Sequence, residues 1–416
     1  MKRRCLLDFQ DPIFHECDLE RKNTNYNQVS SIEVLTLTAK RVVIAVLLLG
    51  SVISMMMMTT SGSSGSHSFS TNSVKEPPAR PAAVTKALIT SDPISIDGNA
   101  QLQSLASSGD GSSGNPYIIE DYYISNAGSN GVGIQNTDKY FILRNITVAS
   151  SGGTGFFFDN VTSGSIIDCS ATGNNEYGFW LASSSSNTLT GNNATGNNEY
   201  GFCLTSSSSN TLTGNNATNN NDHGFWLTSS SSNNVLIGNS ATNNNNNGFC
   251  QTSSSSNTLT DNNATGNYYG FSLGSSSSNT LTGNNATNNT VGFLLYSSSN
   301  NTLTDNNATN NNNQSFSASA ANVGFLLGFS SNNTLTGNNA AGSRIGFCLG
   351  SSSSNNTLEN NTGQDNQEHD YQADSDSIDN ILISNSFSTT ATAVHLLGFT
   401  CAISLLIILR RKRKRN

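Results

Sequence analysis

The chain has 416 residues, a net charge of -8 and only 11% charged residues, with Gly, Ser, Thr and Asn prominent throughout. Charge-driven disorder needs far more charge, and Arg344 is the only basic residue between Arg144 and Arg410, so the clustered Lys and Arg that nucleic acid requires are missing. The seven cysteines form no CxxC pair and the five histidines are scattered, so no zinc site, redox motif or other cofactor is implied.

Residues 1–41 form a polar segment that ends in Lys40-Arg41. The apolar run 42–58 is long enough to span a bilayer as a helix, and the basic flank puts its N-terminal side in the cytoplasm. A cleaved signal peptide is the alternative, but the roughly forty residues upstream are long for one, so an uncleaved anchor is expected. Residues 59–86 are rich in Ser, Gly and Pro and read as a flexible tether.

Residues 87–385 are governed by a repeat. Gly-Phe begins at 155, 178, 201, 224, 248, 270, 292, 324 and 346, so the spacing is 22 to 24 residues with one exception of 32. One unit runs Gly178-Phe179-Trp180-Leu181-Ala182, then Ser183 to Asn187, then Thr188-Leu189-Thr190-Gly191-Asn192-Asn193-Ala194-Thr195. Its apolar runs are too short for helices and alternate, with Phe179 and Leu181 on one face and Trp180 on the other. A unit this small cannot bury its own Phe and Leu, whereas stacked units share one continuous core. The expected fold is therefore all-β, a parallel β-helix of eleven or twelve coils. Phe179, Phe202, Phe225, Phe249, Phe271 and Phe293 should be buried in one column. Asn pairs such as Asn192-Asn193 and Asn215-Asn216 recur in register, and both members are assigned to an internal ladder. That burial counts against glycosylation of the Asn-Ala-Thr sequons. The apolar segment Asn115–Glu120 is the expected start of the coils, Ile378–Ile383 the last core strand, and the extra ten residues near Asn311–Ala321 a loop.

The second apolar run, 394–409, precedes the basic tail 410–416 and reads as a stop-transfer anchor. Gly398-Phe399 before that run resembles archaeal C-terminal sorting signals. Both anchors agree on one topology, with residues 60–390 outside the cell, both ends inside, and the membrane as a partner. The oligomeric state is left open.

The units Asn-Thr-Leu-Thr-Gly-Asn-Asn-Ala-Thr and Gly-Phe-x-Leu, with the opening Asn-Pro-Tyr-Ile-Ile-Glu, resemble the NosD-type right-handed β-helix family, over roughly 87–385. The resemblance implies a right-handed coil and a place among carbohydrate-binding proteins and sugar hydrolases. It also raises copper handling, yet all five methionines lie outside the repeats, and Cys203 and Cys250, which share one outward register, are separated by the coil of Trp226. One scaffold hosts many activities, so the chemistry must come from the site.

Two classes of function remain. A glycan-binding, adhesion or envelope role rests on the turn before each Gly-Phe, where Tyr177, Tyr200, His223 and Tyr269 fall in one column, with Trp180 and Trp226 outward close by. Flat rings beside acceptors suit a polysaccharide or surface glycan. A carbohydrate-active enzyme would use Glu176, Glu199 and Asp222, weak candidates that are each 23 residues apart and so stack at about the carboxyl separation of retaining glycosidases. The acidic stretch Asp365 to Asp379 lacks the EF-hand spacing and reads as a solvated exit segment. A regular coil without a convergent pocket favours binding over catalysis.

Overall fold

The computed structural model describes residues 88–312 and 322–387. Their strands form three sheets of twelve strands each, and each strand pairs in parallel with the strand three later in the chain. The chain thus winds through all three sheets and returns one rung along. One repeat supplies one rung: Phe179–Ala182 joins the Gly-Phe sheet, Thr188–Thr190 the Thr-Leu-Thr sheet and Asn193–Thr195 the Asn-Ala-Thr sheet. Like residues meet on adjacent rungs, Phe179 with Phe202, Leu189 with Leu212 and Ala194 with Ala217.

The inward residues make one core. The Phe rings from Phe156 to Phe347 stack at centroid distances of 4.6 to 4.8 Å with planes within 5° of parallel. Free aromatic pairs prefer offset or edge-on geometry; here the strand spacing of roughly 4.8 Å imposes the stack. All six expected rings are buried, each burial contributing roughly 1.5–3 kcal/mol. The glycine before each Phe sits at a corner with no room for a side chain: a Cβ on Gly178 would lie 2.6 Å from the Gly201 carbonyl oxygen and 2.7 Å from the Ala194 Cβ.

The bends carry backbone groups that water cannot reach, and stacked side chains satisfy them. Asn192 donates its backbone N–H to Asn215 Oδ1 and its Nδ2 to the Ile166 carbonyl, and Asn215 repeats the pattern against Asn239. Equivalent columns run through Asn187, Asn210 and Asn234, and through Asn197, Asn220 and Asn244. A fourth column is made of serines, in which the Ser184 N–H bonds Ser207 Oγ and the Ser207 N–H bonds Ser231 Oγ.

Several expectations need correction. Each Asn pair is split: Asn192 and Asn215 are buried, whereas Asn193 and Asn216 face outward, half-buried, and bond each other across the rungs. The sequon asparagines are therefore outside the buried ladder, because strand alternation sends neighbouring side chains to opposite faces. The coils begin before Asn115, with strands Ile89–Ser91 and Ile94–Asp97, which open the first turn that Tyr117–Glu120 completes. A seven-residue helix, α1 (Asn99–Leu105), follows and buries Leu102 at the N-terminal end of the core. The last strand is only Ile381–Ile383 and is exposed. The expected loop falls on 313–321, outside the described residues; pairing continues across it in register, Asn307 with Asn339. The apolar runs 42–58 and 394–409 also lie outside them, and no helix among the described residues is long and apolar enough to cross a membrane.

Candidate functional site

The outer face of the Gly-Phe sheet and the turn that leads into it carry the candidate residues. The corner glycine turns the preceding side chain outward, and alternation turns out the residue after the Phe. Tyr177 and Trp180 thus meet on the outside, ring centroids 5.0 Å apart and nearly edge-on. Tyr177 stacks on Tyr200 at 5.2 Å and Tyr200 on His223 at 5.4 Å, within 7° and 16° of parallel. Trp226 lies against both Tyr200 and His223, and Phe157 against Trp180. The tryptophans are fixed by Nε1–H bonds to Thr205 and Thr252.

The ladder is continuous over three rungs and then breaks. Asn247 occupies the column after His223, and Tyr269 beyond it is buried with Tyr268, Val291, Leu294, Val323, Leu326 and Ile345 in a separate apolar cluster. Tyr177, Tyr200, Trp180 and Trp226 are half-buried and reachable, while His223 and Tyr269 are buried. The column of like rings therefore holds Tyr177, Tyr200 and His223, and Tyr269 belongs to different surroundings.

The acidic residues pair through their backbones on successive rungs, as their spacing requires. The Glu199 N–H bonds the Glu176 carbonyl and the Asp222 N–H the Glu199 carbonyl, each at 3.1 Å. Glu176 accepts from the Thr154 hydroxyl at 3.1 Å. Burial, and next the Glu199 charge, raise the pKa of the Tyr177 hydroxyl, so it stays a donor. Burial also raises the pKa of Asp222, against a lowering contribution from Asn246. His223 Nδ1 accepts the Asn247 backbone N–H at 3.2 Å, which leaves the imidazole proton on Nε2. Asp222 Oδ1 sits 3.3 Å from that same Nδ1, acceptor facing acceptor. Asp222 Oδ1, Asn246 Oδ1 and Asn247 Oδ1 are buried without a hydrogen-bond donor. These acceptors, set where the rings stop, were not anticipated from sequence; the only signal was the departure of Asn246-Asn247 from the Glu-Tyr pattern.

Other candidates disperse. Cys203 and Cys250 do share one column with Trp226 between them, but both are buried, and burial pushes the Cys203 thiol up to about 12. In the acidic stretch, Asp370 accepts from Asn366, Asp374 from the Ser351 N–H and Asp376 from the Ser352 hydroxyl, so these carboxylates serve the last coils separately.

A family model described as the right handed beta helix region matches residues 103–241 and 229–323, just over half of the chain. The chain belongs to the right-handed β-helix family. No curated protein matches it. Among solved structures, the A-module of Azotobacter vinelandii mannuronan C-5 epimerase AlgE6 is similar with a TM-score of 0.52 at 16% identity, over 65% of this chain and 88% of that one. A point mutant of the periplasmic alginate epimerase AlgG is similar at 0.47 and 14%, over 65% and 84%, and the catalytic domain of a GH87 alpha-1,3-glucanase, also as a point mutant, at 0.42 and 12%, over 73% and 63%. This β-helix thus shares its fold with the epimerase A-module, at an identity that speaks to the fold alone.

Proposed function

We propose that this β-helix is a non-catalytic glycan-binding protein of the cell surface, holding an extended neutral polysaccharide along the outer face of the Gly-Phe sheet. The observation that carries this reading is the reachable strip of Tyr177, Tyr200, Trp180 and Trp226, with buried His223 continuing the stack beneath Trp226. The stacked rings cover one another's faces and present their edges outward, so that with the inclined Trp180 and Trp226 they form an apolar strip for a sugar chain to lie along, and the carboxylates beside it accept hydroxyl protons.

The charge on this face selects the polymer. Glu176, Glu199 and Asp222 line the ladder, and the described residues hold no Lys or Arg besides Lys139, Arg144 and Arg344. Arg144 is paired with Glu120, and Arg344 lies 3.7 Å from Glu368. A polyuronate would meet like charge here, so a neutral chain fits. The test is a binding screen of residues 87–390 against neutral polysaccharides, with alginate as the acidic comparison and released sugar ends measured in parallel. Binding of a neutral polymer without new ends supports the reading; preference for alginate, or no binding, defeats it.

The second reading, a glycan-cleaving enzyme, is favoured by the backbone stacking of Glu176, Glu199 and Asp222. New sugar ends that vanish in Glu199→Gln would establish it. The surface location belongs to the same proposal, with residues 60–390 external and both ends cytoplasmic. Protease added to intact cells should then remove the repeats and spare a tag at residue 416, and loss of that tag would count against the C-terminal anchor.

A further inference from the structure

The ring strip does not end at its N-terminal side in a wall. One outward column of the Gly-Phe sheet runs Ser95, Gly133, Phe157, Trp180 on successive rungs. The tilted Phe157–Trp180 contact, centroids 4.8 Å apart, joins this column to the ladder. Below Phe157 the side chain shrinks to nothing at Gly133 and then to a hydroxymethyl at Ser95. The result is a notch of about 140 Å³ lined by Ser95, Asn130, Gly133, Gln135 and Phe157.

Gly133 is the informative residue. The corner glycines are forced by crowding, as Gly178 shows. Gly133 has no such reason. Its φ is not in the left-handed region, and a Cβ there would meet nothing closer than the Ile94 carbonyl oxygen at 3.9 Å, an ordinary contact. The equivalent rungs above carry Phe157 and Trp180, so a large side chain suits the position. Glycine within a strand weakens it, by roughly 0.5–1 kcal/mol against Ala. Its presence therefore leaves the notch open at a small cost in stability.

The chemistry of the notch is that of a sugar subsite. Phe157 supplies an apolar wall, Gln135 and Ser95 supply groups that both donate and accept, and Asn130 is held by its Oδ1 accepting the Thr154 N–H at 2.9 Å. Its size settles the scale: pockets that enclose a whole ligand hold roughly 300–1,000 Å³, so this one takes part of a longer chain. We infer that the Gly133 notch is a subsite for one sugar unit of the same neutral polysaccharide, at the N-terminal end of the ring strip. This inference rests on the glycan-binding reading above and adds a place where binding is read out by chain length.

The experiment uses size series of manno-, xylo-, cello- and laminari-oligosaccharides, with affinities measured for wild type, Gly133→Leu, Gly133→Ala and Tyr177→Ala. Gly133→Leu fills the notch, and a melting temperature equal to or above that of wild type confirms that it folds. In the series that binds, Gly133→Leu should weaken the longest oligosaccharides about tenfold and leave the shortest untouched, with Gly133→Ala in between. Tyr177→Ala should weaken every length. If Gly133→Leu matches wild type at all lengths while Tyr177→Ala still weakens binding, the notch is no subsite and the strip stands. If Gly133→Leu weakens all lengths equally, the subsite assignment also fails. If wild type binds no series, the strip and the notch fall together.

Discussion

The rings of Tyr177 and Tyr200 lie 5.2 Å apart and 7° from parallel, on two turns joined by no covalent contact closer than a full coil. The sheet sets that distance, since residues 23 apart in the chain are neighbours one rung apart. A surface built this way repeats at the rise of the coil.

Replacing Tyr177, Tyr200 and Trp180 together by Ala should abolish glycan binding at modest cost in stability, because all three are half-buried on the outside. Phe202→Ala, in the core column, should cost about 3–5 kcal/mol and leave the binding face in place if the protein is assayed while folded. Urea titration and glycan binding measured side by side separate the two. If the triple variant still binds, the rings only shelter the backbone beneath them.

Neighbours in sequence should have opposite fates. Asn215 donates to the Leu189 carbonyl and to Asn239 Oδ1 and accepts from Asn192, all in the buried ladder. Asn215→Ala strands several of these groups and should cost roughly 3 kcal/mol or more, since each buried group left unpaired costs about 1–3. Asn216 bonds Asn193 on the outer face, with water at hand. Asn216→Ala should cost about 1 kcal/mol or less. Denaturant midpoints of the two variants decide this.

This pair also marks what the sequence made legible. The Gly-Phe spacing gave the stacked fold and the buried Phe column, because a short unit with inward Phe and Leu has few ways to hide them. The Asn-Asn dipeptide did not say which member faces inward, since period-2 alternation is ambiguous until the strand register is known. The Ser ladder was hidden inside Ser-Ser-Ser-Ser-Asn, where composition suggests only a loop. Helix α1 was missed because Asn99–Leu105 offers two leucines and no capping side chain. At the candidate site, the column of Tyr177, Tyr200 and His223 followed from spacing alone. The burial of Tyr269 and the notch at Gly133 depend on what packs outside or fails to, which the repeat does not encode.

Two glycines ten residues apart should respond differently to Asn. Gly214 has φ +62 and open space around its missing Cβ. Asp261, Asp305 and Asn360 take the same left-handed conformation at the equivalent turn, and Asn tolerates it well. Gly214→Asn should therefore be within about 0.5 kcal/mol of wild type. At Gly224 a Cβ would lie 2.7 Å from the Gly248 carbonyl oxygen and 2.9 Å from both Ala241 Cβ and Asn244 Nδ2. Gly224→Asn should prevent the rung from closing, read as loss of soluble folded protein or a fall in melting temperature larger than that of any surface variant.

The acid response should trace to His223. Burial pushes its pKa down to about 3, from an ordinary value of 6.5. The unfolded chain protonates this imidazole as the pH falls through 6.5, while the folded chain resists until about 3. Within that window the unfolded state binds more protons, so acidification removes stability, at up to about 1.4 kcal/mol per pH unit. Asp222 acts in the other direction: its folded carboxyl is pushed up, so it takes its proton before the unfolded one and offsets part of the loss near the acid end. His223→Asn, which copies Asn247 on the next rung, keeps Asp222 and removes the imidazole. Between pH 7 and pH 5 the wild type should lose more stability than this variant in urea titrations at each pH. Equal losses would mean that His223 takes its proton within the fold, with Asp222 Oδ1 at 3.3 Å as its counter-charge, and that burial does not govern this rung.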